Sequence, residues 1–340
     1  MEHRAAIKAV TSFLPAGKLT NEQLAKEFGD WHASQILGKT GVAVRSIAAA
    51  DECASDLGVA AAKHLLESGA CSPEEIDFLL LCTQSPDYFL PTTACLLQDR
   101  LGLRTDCGAI DFNQGCSGYV YGLALAKGLI ETSVAAKVLL ITADTYSKFI
   151  NSRDRGVRTL FGDGAAATLV GSVEAKRDLI GPFIFGTDGR GAKEIIVPAG
   201  GMRRPVTPET AIEKKDESGN WRSEQNFYMN GADVFNFALR TVPQAMDHLL
   251  QKSGLLLDQV DYVILHQANK FMLERLRSKM KIPAEKFWID MEDCGNTVSS
   301  TIPIALESAR KQGRIRARDR VALIGFGVGY SWSATMIEVT

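Results

Sequence analysis

Three stretches in the first half of this chain recur in the second half, in the same order. "SPEEIDFLLLCTQSPDY" (72–88) parallels "LLDQVDYVILHQANKFM" (256–272). "AIDFNQGCSG" (109–118) parallels "WIDMEDCGNT" (288–297), and "KVLLITAD" (137–144) parallels "RVALIGFG" (320–327). The shift stays at about 180 residues, close to half of the 340-residue chain, whereas solenoids repeat over a few tens of residues. A half-chain period predicts a duplicated unit, and the unit is α/β in kind. Apolar runs of buried-strand type at 76–82, 138–144, 260–266 and 321–327 alternate with helix-like stretches. One is "DLGVAAAKHLLESG", closed by Gly69; another is "ADVFNFALRTVPQAMDHLLQKSG", closed by Gly254 with Pro243 inside it.

Duplication brings corresponding strand ends of two related halves face to face. Ligands of open α/β sheets bind beyond the carboxyl ends of strands. The residues at those ends are Cys82, Cys116, His266, Asn296 and the glycine loop after Ile324. Cys116 is wedged among Gly115, Ser117 and Gly118, ahead of a small-residue, almost uncharged helix. A thiol at a helix N-terminus feels partial positive charge, which predicts a lowered pKa and a nucleophile. The other reading is a buried core thiol. His266, in "LHQANKF", needs hydrogen-bond partners, and a lone histidine there is commonly structural. Asn296, in "CGNTVSST", reads equally as a turn or helix cap. Cys, His and Asn at matched places in a duplicated fold are a far stronger signal than any one of them.

Composition removes several alternatives. A formal charge of −2 argues against general nucleic-acid binding. The start "MEHRAAIKAVTSF" lacks a signal peptide's apolar stretch, and no apolar run approaches the roughly 18 residues of a membrane span. Seven cysteines without a CxxC and five scattered histidines fit neither a disulfide framework nor a zinc site. A reducing cytoplasm with free thiols is expected. The loop "GFGVGY" lacks the βαβ setting of a dinucleotide fingerprint.

The blocks "QGCSG", "HQAN", "GNT", "GFGVGYSW" and "FGDGAAATLV" together resemble the signatures of β-ketoacyl-acyl-carrier-protein synthase III, a condensing enzyme of the thiolase superfamily. The resemblance runs in order from about residue 4 to the C-terminus. Elongating synthases I and II use Cys-His-His, and type III polyketide synthases are usually longer with a proline in the glycine loop. The resemblance implies an internally duplicated, five-layered αβαβα thiolase-like fold. Residues 1–175 would form the half with the nucleophile, and 176–340 the half with His and Asn.

It also implies a mechanism. An acyl group passes from a thioester, of coenzyme A or a carrier protein, to Cys116. A malonyl thioester then loses carbon dioxide, and its enolate attacks the acyl-cysteine. His266 and Asn296 would donate to the enolate oxygen, with His266 neutral. The backbone N–H groups of Cys116 and Val328 would form the oxyanion hole; Val328 stands where the family often has a glycine. No metal or redox cofactor is implied. Lys39, Arg155, Gly231, Phe235 and Asn269 match substrate-binding positions. The family's adenine-stacking tryptophan falls at Gln35 and its neighbouring arginine at Lys39, while Trp31 is out of register; that leaves the adenine clamp without its usual residues. Leu90 matches a position that closes the acyl pocket of the partner in a homodimer. The basic stretch 270–281, with Lys270, Arg275 and Arg277, reads as a solvated face or as a docking surface for acyl carrier protein. Its place after the His266 loop favours docking. The insert 197–226, with Arg203 and Arg204, is loop-rich and meets an acyl carboxylate, a pantetheine phosphate or solvent. Two other functions fit the same fold: acyl transfer to oxygen or nitrogen without condensation, and a noncatalytic carrier-binding subunit.

Overall fold

A computed structural model describes residues 2–340. The first half contains β1 (Glu2–Phe13), a small hairpin-like pair β2 (Gly17–Thr20) and β3 (Val44–Ile47), then β4 (Phe78–Cys82), β5 (Gly108–Phe112), β6 (Lys137–Asp144) and β7 (Gly164–Ala175). Its helices are α1 (Asn21–Phe28), α2 (Ala33–Thr40), α3 (Ala54–Glu67), α4 (Thr93–Arg100), α5 (Gly118–Glu131) and the single turn α6 (Arg155–Arg158). The second half begins with β8 (Ile180–Thr187). Two-residue pairs follow: β9 (Ile195–Ile196) with β12 (Tyr228–Met229), and β10 (Lys214–Lys215) with β11 (Trp221–Arg222). Then come α7 (Gly231–Ser253), β13 (Tyr262–Leu265), α8 (Lys270–Lys279), β14 (Phe287–Trp288), α9 (Thr301–Lys311), β15 (Arg320–Gly327) and β16 (Ser331–Glu338).

The two five-stranded sheets have the same topology. One runs β1-β7-β6-β4-β5, and the other β8-β16-β15-β13-β14. In each, the middle three strands of the repeat are parallel and the remaining two antiparallel. The duplication read from the sequence is therefore a duplication of strand order. All four expected strands form. Two are shorter than their apolar runs: Ile76 belongs to the turn before β4, and His266 lies one residue beyond β13.

Alternation along the strands explains the layers. Leu79 and Leu81 of β4 point outward to Leu57, Leu65 and Leu97 of α3 and α4. Leu80 points inward, to Tyr119 and Leu123 of α5 and Ile302 and Leu306 of α9. In the other sheet Ile264 and Leu323 join that same central cluster. Val263, Leu265 and Ile324 face outward to Phe237, Met246 and Leu249 of α7 and Leu273 of α8. Strands buried on both faces read as continuous apolar runs, as these do. The result is helix, sheet, helix, sheet, helix: five layers. The central pair must pack closely. A Cβ on Gly122 of α5 would sit 2.5 Å from Leu140 Cδ1, which accounts for small residues there.

Polar bonds also cross between the halves. Thr142 Oγ1 lies 2.9 Å from Ser300 Oγ, and Ser117 Oγ lies 2.7 Å from Ser331 Oγ. Gly162 N–H donates to the Asn296 carbonyl at 3.0 Å, and Asn296 N–H to the Leu160 carbonyl at 2.9 Å.

Candidate functional site

Five loop residues lead from β5 to α5, and Cys116 sits in this loop beside the N-cap Ser117. Gly118 N–H donates to the Gly115 carbonyl at 2.8 Å, a tight turn that leads into α5. His266 leaves the end of β13, pinned by its N–H to the Ile324 carbonyl at 2.8 Å. Asn296 lies between β14 and α9. The three side chains line one cavity of about 190 Å³ with Phe161, Phe326 and Gly327. Gly327 is required there, since a Cβ would lie 2.8 Å from Cys116 Sγ.

Hydrogen bonds fix how the polar groups face this cavity. Asn296 Oδ1 accepts from Val298 N–H at 3.0 Å. Its amide nitrogen is thereby turned toward His266 Nε2 and the Ala268 carbonyl, each at 3.5 Å. His266 Nδ1 lies 2.7 Å from Thr301 Oγ1, behind the ring. The Thr301 hydroxyl has two acceptors in reach, Nδ1 and the Val298 carbonyl at 3.1 Å; donation to the nearer Nδ1 puts the ring proton on Nε2, facing the cavity. Burial pushes the imidazole down to about 3, so it is neutral. That agrees with the expected neutral histidine.

The expected low thiol pKa is not found. Burial pushes the Cys116 thiol up to about 12, and the Asp144 carboxyl adds to the rise. The backbone N–H groups of Val328 and Cys116 reach the sulfur and pull the other way, but desolvation is the larger effect. Proximity to a helix N-terminus does not outweigh the loss of water. Asp144 itself, at the end of β6, is buried and raised to about 7 despite accepting from Ser299 and Gln84. Well below its folded pKa, the ionised fraction of a thiol rises tenfold per pH unit. Alkylation of Cys116 by iodoacetamide, followed by intact mass, should therefore rise about tenfold per pH unit between roughly pH 6 and 9. A plateau starting below about pH 8 would contradict the raised value.

The remaining expected residues divide into groups. Gly231 and Asn269 line the cavity, and Asn269 also caps α8 by accepting from Met272 N–H at 2.8 Å. Phe235 stands outside it, stacked on Phe271 at 5.7 Å; its neighbour Val234 lines the cavity instead. Lys39 and Arg155 meet around Trp31, with Lys39 Nζ 4.9 Å and Arg155 Cζ 6.0 Å from the ring centre. So the out-of-register tryptophan does join the cationic pair. The turn between α1 and α2, through Gly29 with φ +77°, carries Trp31 there. Gln35 is exposed on α2. Leu90 is 82% exposed and does not line the cavity of its own chain. Lys270 and Arg275 are exposed, Arg275 lying over Phe271 at 5.2 Å. Arg277 is not free: it pairs with Glu274 at 2.8 Å and donates to the Ile282 carbonyl. In the insert, Arg204 pairs with Glu224. Thr301 and Asp144 carry no distinctive sequence pattern; a threonine or aspartate at the end of an apolar run is too common to single out.

No helix is long and apolar enough to cross a membrane, and among the described residues no group of three or more His, Cys, Asp or Glu is placed to hold a metal.

Comparison with known proteins gives a consistent answer. Residues 110–189 match the model of 3-oxoacyl-[acyl-carrier-protein] synthase III, and 250–339 that of its C-terminal region. The chain is 37% identical over 334 residues to a β-ketoacyl-[acyl-carrier-protein] synthase III of Caldanaerobacter subterraneus, covering 98% of this chain and 97% of the relative. A crystal structure of a 3-oxoacyl-(acyl-carrier-protein) synthase III superposes with a TM-score of 0.98 at 54% identity, covering 98% of this chain and 99% of that one. A second, from Burkholderia xenovorans, gives 0.90 at 35%, covering 99% and 94%.

Proposed function

This chain belongs to the 3-oxoacyl-[acyl-carrier-protein] synthase III family, and on that premise we propose that it loads an acyl group on Cys116 and condenses it with a malonyl thioester. It is a thiolase-like acyltransferase of the condensing kind. The observation that carries the assignment of residues is the single cavity shared by Cys116, His266 and Asn296, with the Asn296 amide turned inward.

The steps follow from that arrangement. The Cys116 sulfur attacks the thioester carbonyl, and its proton passes to the departing thiolate, so His266 stays neutral with its proton on Nε2. The N–H groups of Cys116 and Val328 hold the tetrahedral oxyanion. A malonyl thioester then takes the vacated site. Its carboxylate departs as carbon dioxide, leaving an enolate whose oxygen receives hydrogen bonds from His266 Nε2–H and Asn296 Nδ2–H. Enolate carbon attacks the acyl carbonyl, and the sulfur leaves and regains a proton. Both halves, 1–175 and 176–340, contribute. Incubation with an acyl thioester and a malonyl carrier protein should yield carbon dioxide and a 3-oxoacyl product; acyl transfer to an alcohol or amine instead would overturn condensation.

Partners follow from the surface. Trp31 and Lys39 offer a flat ring and a cation suited to the nucleotide end of coenzyme A, beside Arg155, which is paired with Asp30 at 2.7 Å. Strand β5 pairs only with β4, so its outer edge is open, and its Ile110 is 43% exposed. A second copy paired there would make a homodimer and place Leu90 at its neighbour's acyl pocket. A soluble, cytoplasmic enzyme without a resident cofactor fits this chemistry. Lys270 and Arg275 are the free cations for an acidic carrier protein. Reversing both should raise the apparent KM for malonyl carrier protein about tenfold at low salt, and added salt should erase the difference. An equal loss with a small acyl thioester would place docking elsewhere.

A further inference from the structure

Residues 21–42 carry α1, α2 and, between them, Trp31. The two ends of this segment meet: Asn21 Nδ2–H donates to the Val42 carbonyl at 2.8 Å. Arg45 of β3 lies across the junction, and its side chain is fully buried. Its guanidinium donates to Asn21 Oδ1 and, at 3.2 Å, to the Val42 carbonyl. Nε and Nη2 both donate to the Thr159 carbonyl, at 2.9 and 2.5 Å. Thr159 closes α6, where Arg155 stands and where Gly156 lines the Cys116 cavity. Strand β3 is itself fixed to the loop of Asn296. Ser46 N–H donates to the Cys294 carbonyl at 3.2 Å, and a Cβ on Gly295 would meet Arg45 Cγ at 3.2 Å.

Every acceptor of this guanidinium is neutral: two carbonyls and an amide. Burial pushes it down to about 10, so it is still charged at neutral pH. Burying a cation this way is a poor route to stability. What the planar fork supplies is direction, since it holds its acceptors at fixed angles and a lysine ammonium does not. Arg155 and Arg158 also reach from α6 to the segment, to Asp30, the Phe28 carbonyl and Glu27. Those bonds lie on the half-exposed side, where ion pairs contribute little. We propose that Arg45 is a positioning residue for the thioester donor: it sets where Trp31 and Lys39 stand relative to Arg155, and so governs affinity for a nucleotide-bearing donor. This rests on the coenzyme A reading above. Being fully buried, Arg45 acts through the groups it holds and does not touch the donor.

The test uses two readouts on the full chain. Calorimetry measures binding of desulfo-coenzyme A, which has no thiol and requires no acyl transfer. Intact mass measures loading from acetyl and butyryl thioesters of coenzyme A and of N-acetylcysteamine, which lacks the nucleotide. Arg45→Lys keeps the charge and loses the fork. It should weaken desulfo-coenzyme A binding about tenfold and raise the KM for the coenzyme A thioesters by a similar factor. The maximal loading rate, and the KM for the small thioesters, should change less than about twofold, because only binding of the nucleotide end is lost. Asn21→Ala frees one end of the segment and leaves Arg45 on Thr159. It should act in the same direction, and it carries the test if Arg45→Lys fails to fold. In a Trp31→Ala background, Arg45→Lys should cost little more, since the two act as one unit. Four results would each overturn the role of Arg45: a wild type that does not bind desulfo-coenzyme A, binding unchanged in the single variants, equal losses with both kinds of thioester, or a fully additive loss with Trp31→Ala. A wild type whose binding depends on Arg45 but which loads neither acyl group would instead overturn the proposed function and leave that role standing.

Discussion

Cys116→Ser is expected to abolish acyl-enzyme formation. The hydroxyl is close to the thiol in size, so the fold should survive; an alcohol, however, is not usefully ionised near neutral pH, and the site offers it no strong base. Burial pushes the His266 imidazole down to about 3, so it is too weak a base to take the proton from a serine hydroxyl. The measurement is intact mass after incubation with an acyl thioester. Wild-type protein should gain one acyl mass, and the variant none. A variant that loads normally would remove Cys116 from the reaction.

Asn296→Ala should separate the two half-reactions. Loading needs the sulfur and the two backbone N–H groups, which this change leaves alone. Decarboxylation needs donors to an enolate, and Asn296 is oriented for that by Val298 N–H on its carbonyl oxygen. Removing one such donor costs about 10²–10³ in rate, or about 2.7–4 kcal/mol. The variant should accumulate as acyl-Cys116 and release carbon dioxide that much more slowly. Condensation at the wild-type rate would sink the role given to Asn296.

The sequence carried the architecture unusually far because burial on both faces makes β4, β6, β13 and β15 read as continuous apolar runs. Repetition of those runs in register then dictated two sheets of like order. His266 was legible because it follows such a run directly, whereas Cys116 and Asn296, in the loops after β5 and β14, were legible from their matched places in the repeat. What was not legible depends on contacts distant in sequence. The thiol's rise comes from Asp144 and from loss of water, neither visible in "QGCSG". Trp31 reaches Arg155 through the turn at Gly29, a contact that spacing alone does not reveal. Arg277 reads as a free cation until Glu274 and the Ile282 carbonyl are found against it.

The central layer of helices has a mechanical meaning. Because α5 and α9 bury faces against both sheets, and bonds such as Thr142–Ser300 and Asp144–Ser299 tie one half to the other, the stretches that carry Cys116, His266 and Asn296 pack as one body. Packing holds the three groups around one cavity in the ligand-free fold. Reorganisation is completed before the reaction begins, and fixed dipoles need not turn as charge develops. The same rigidity ties folding to function: loosening either sheet at the central layer would misplace all three groups together.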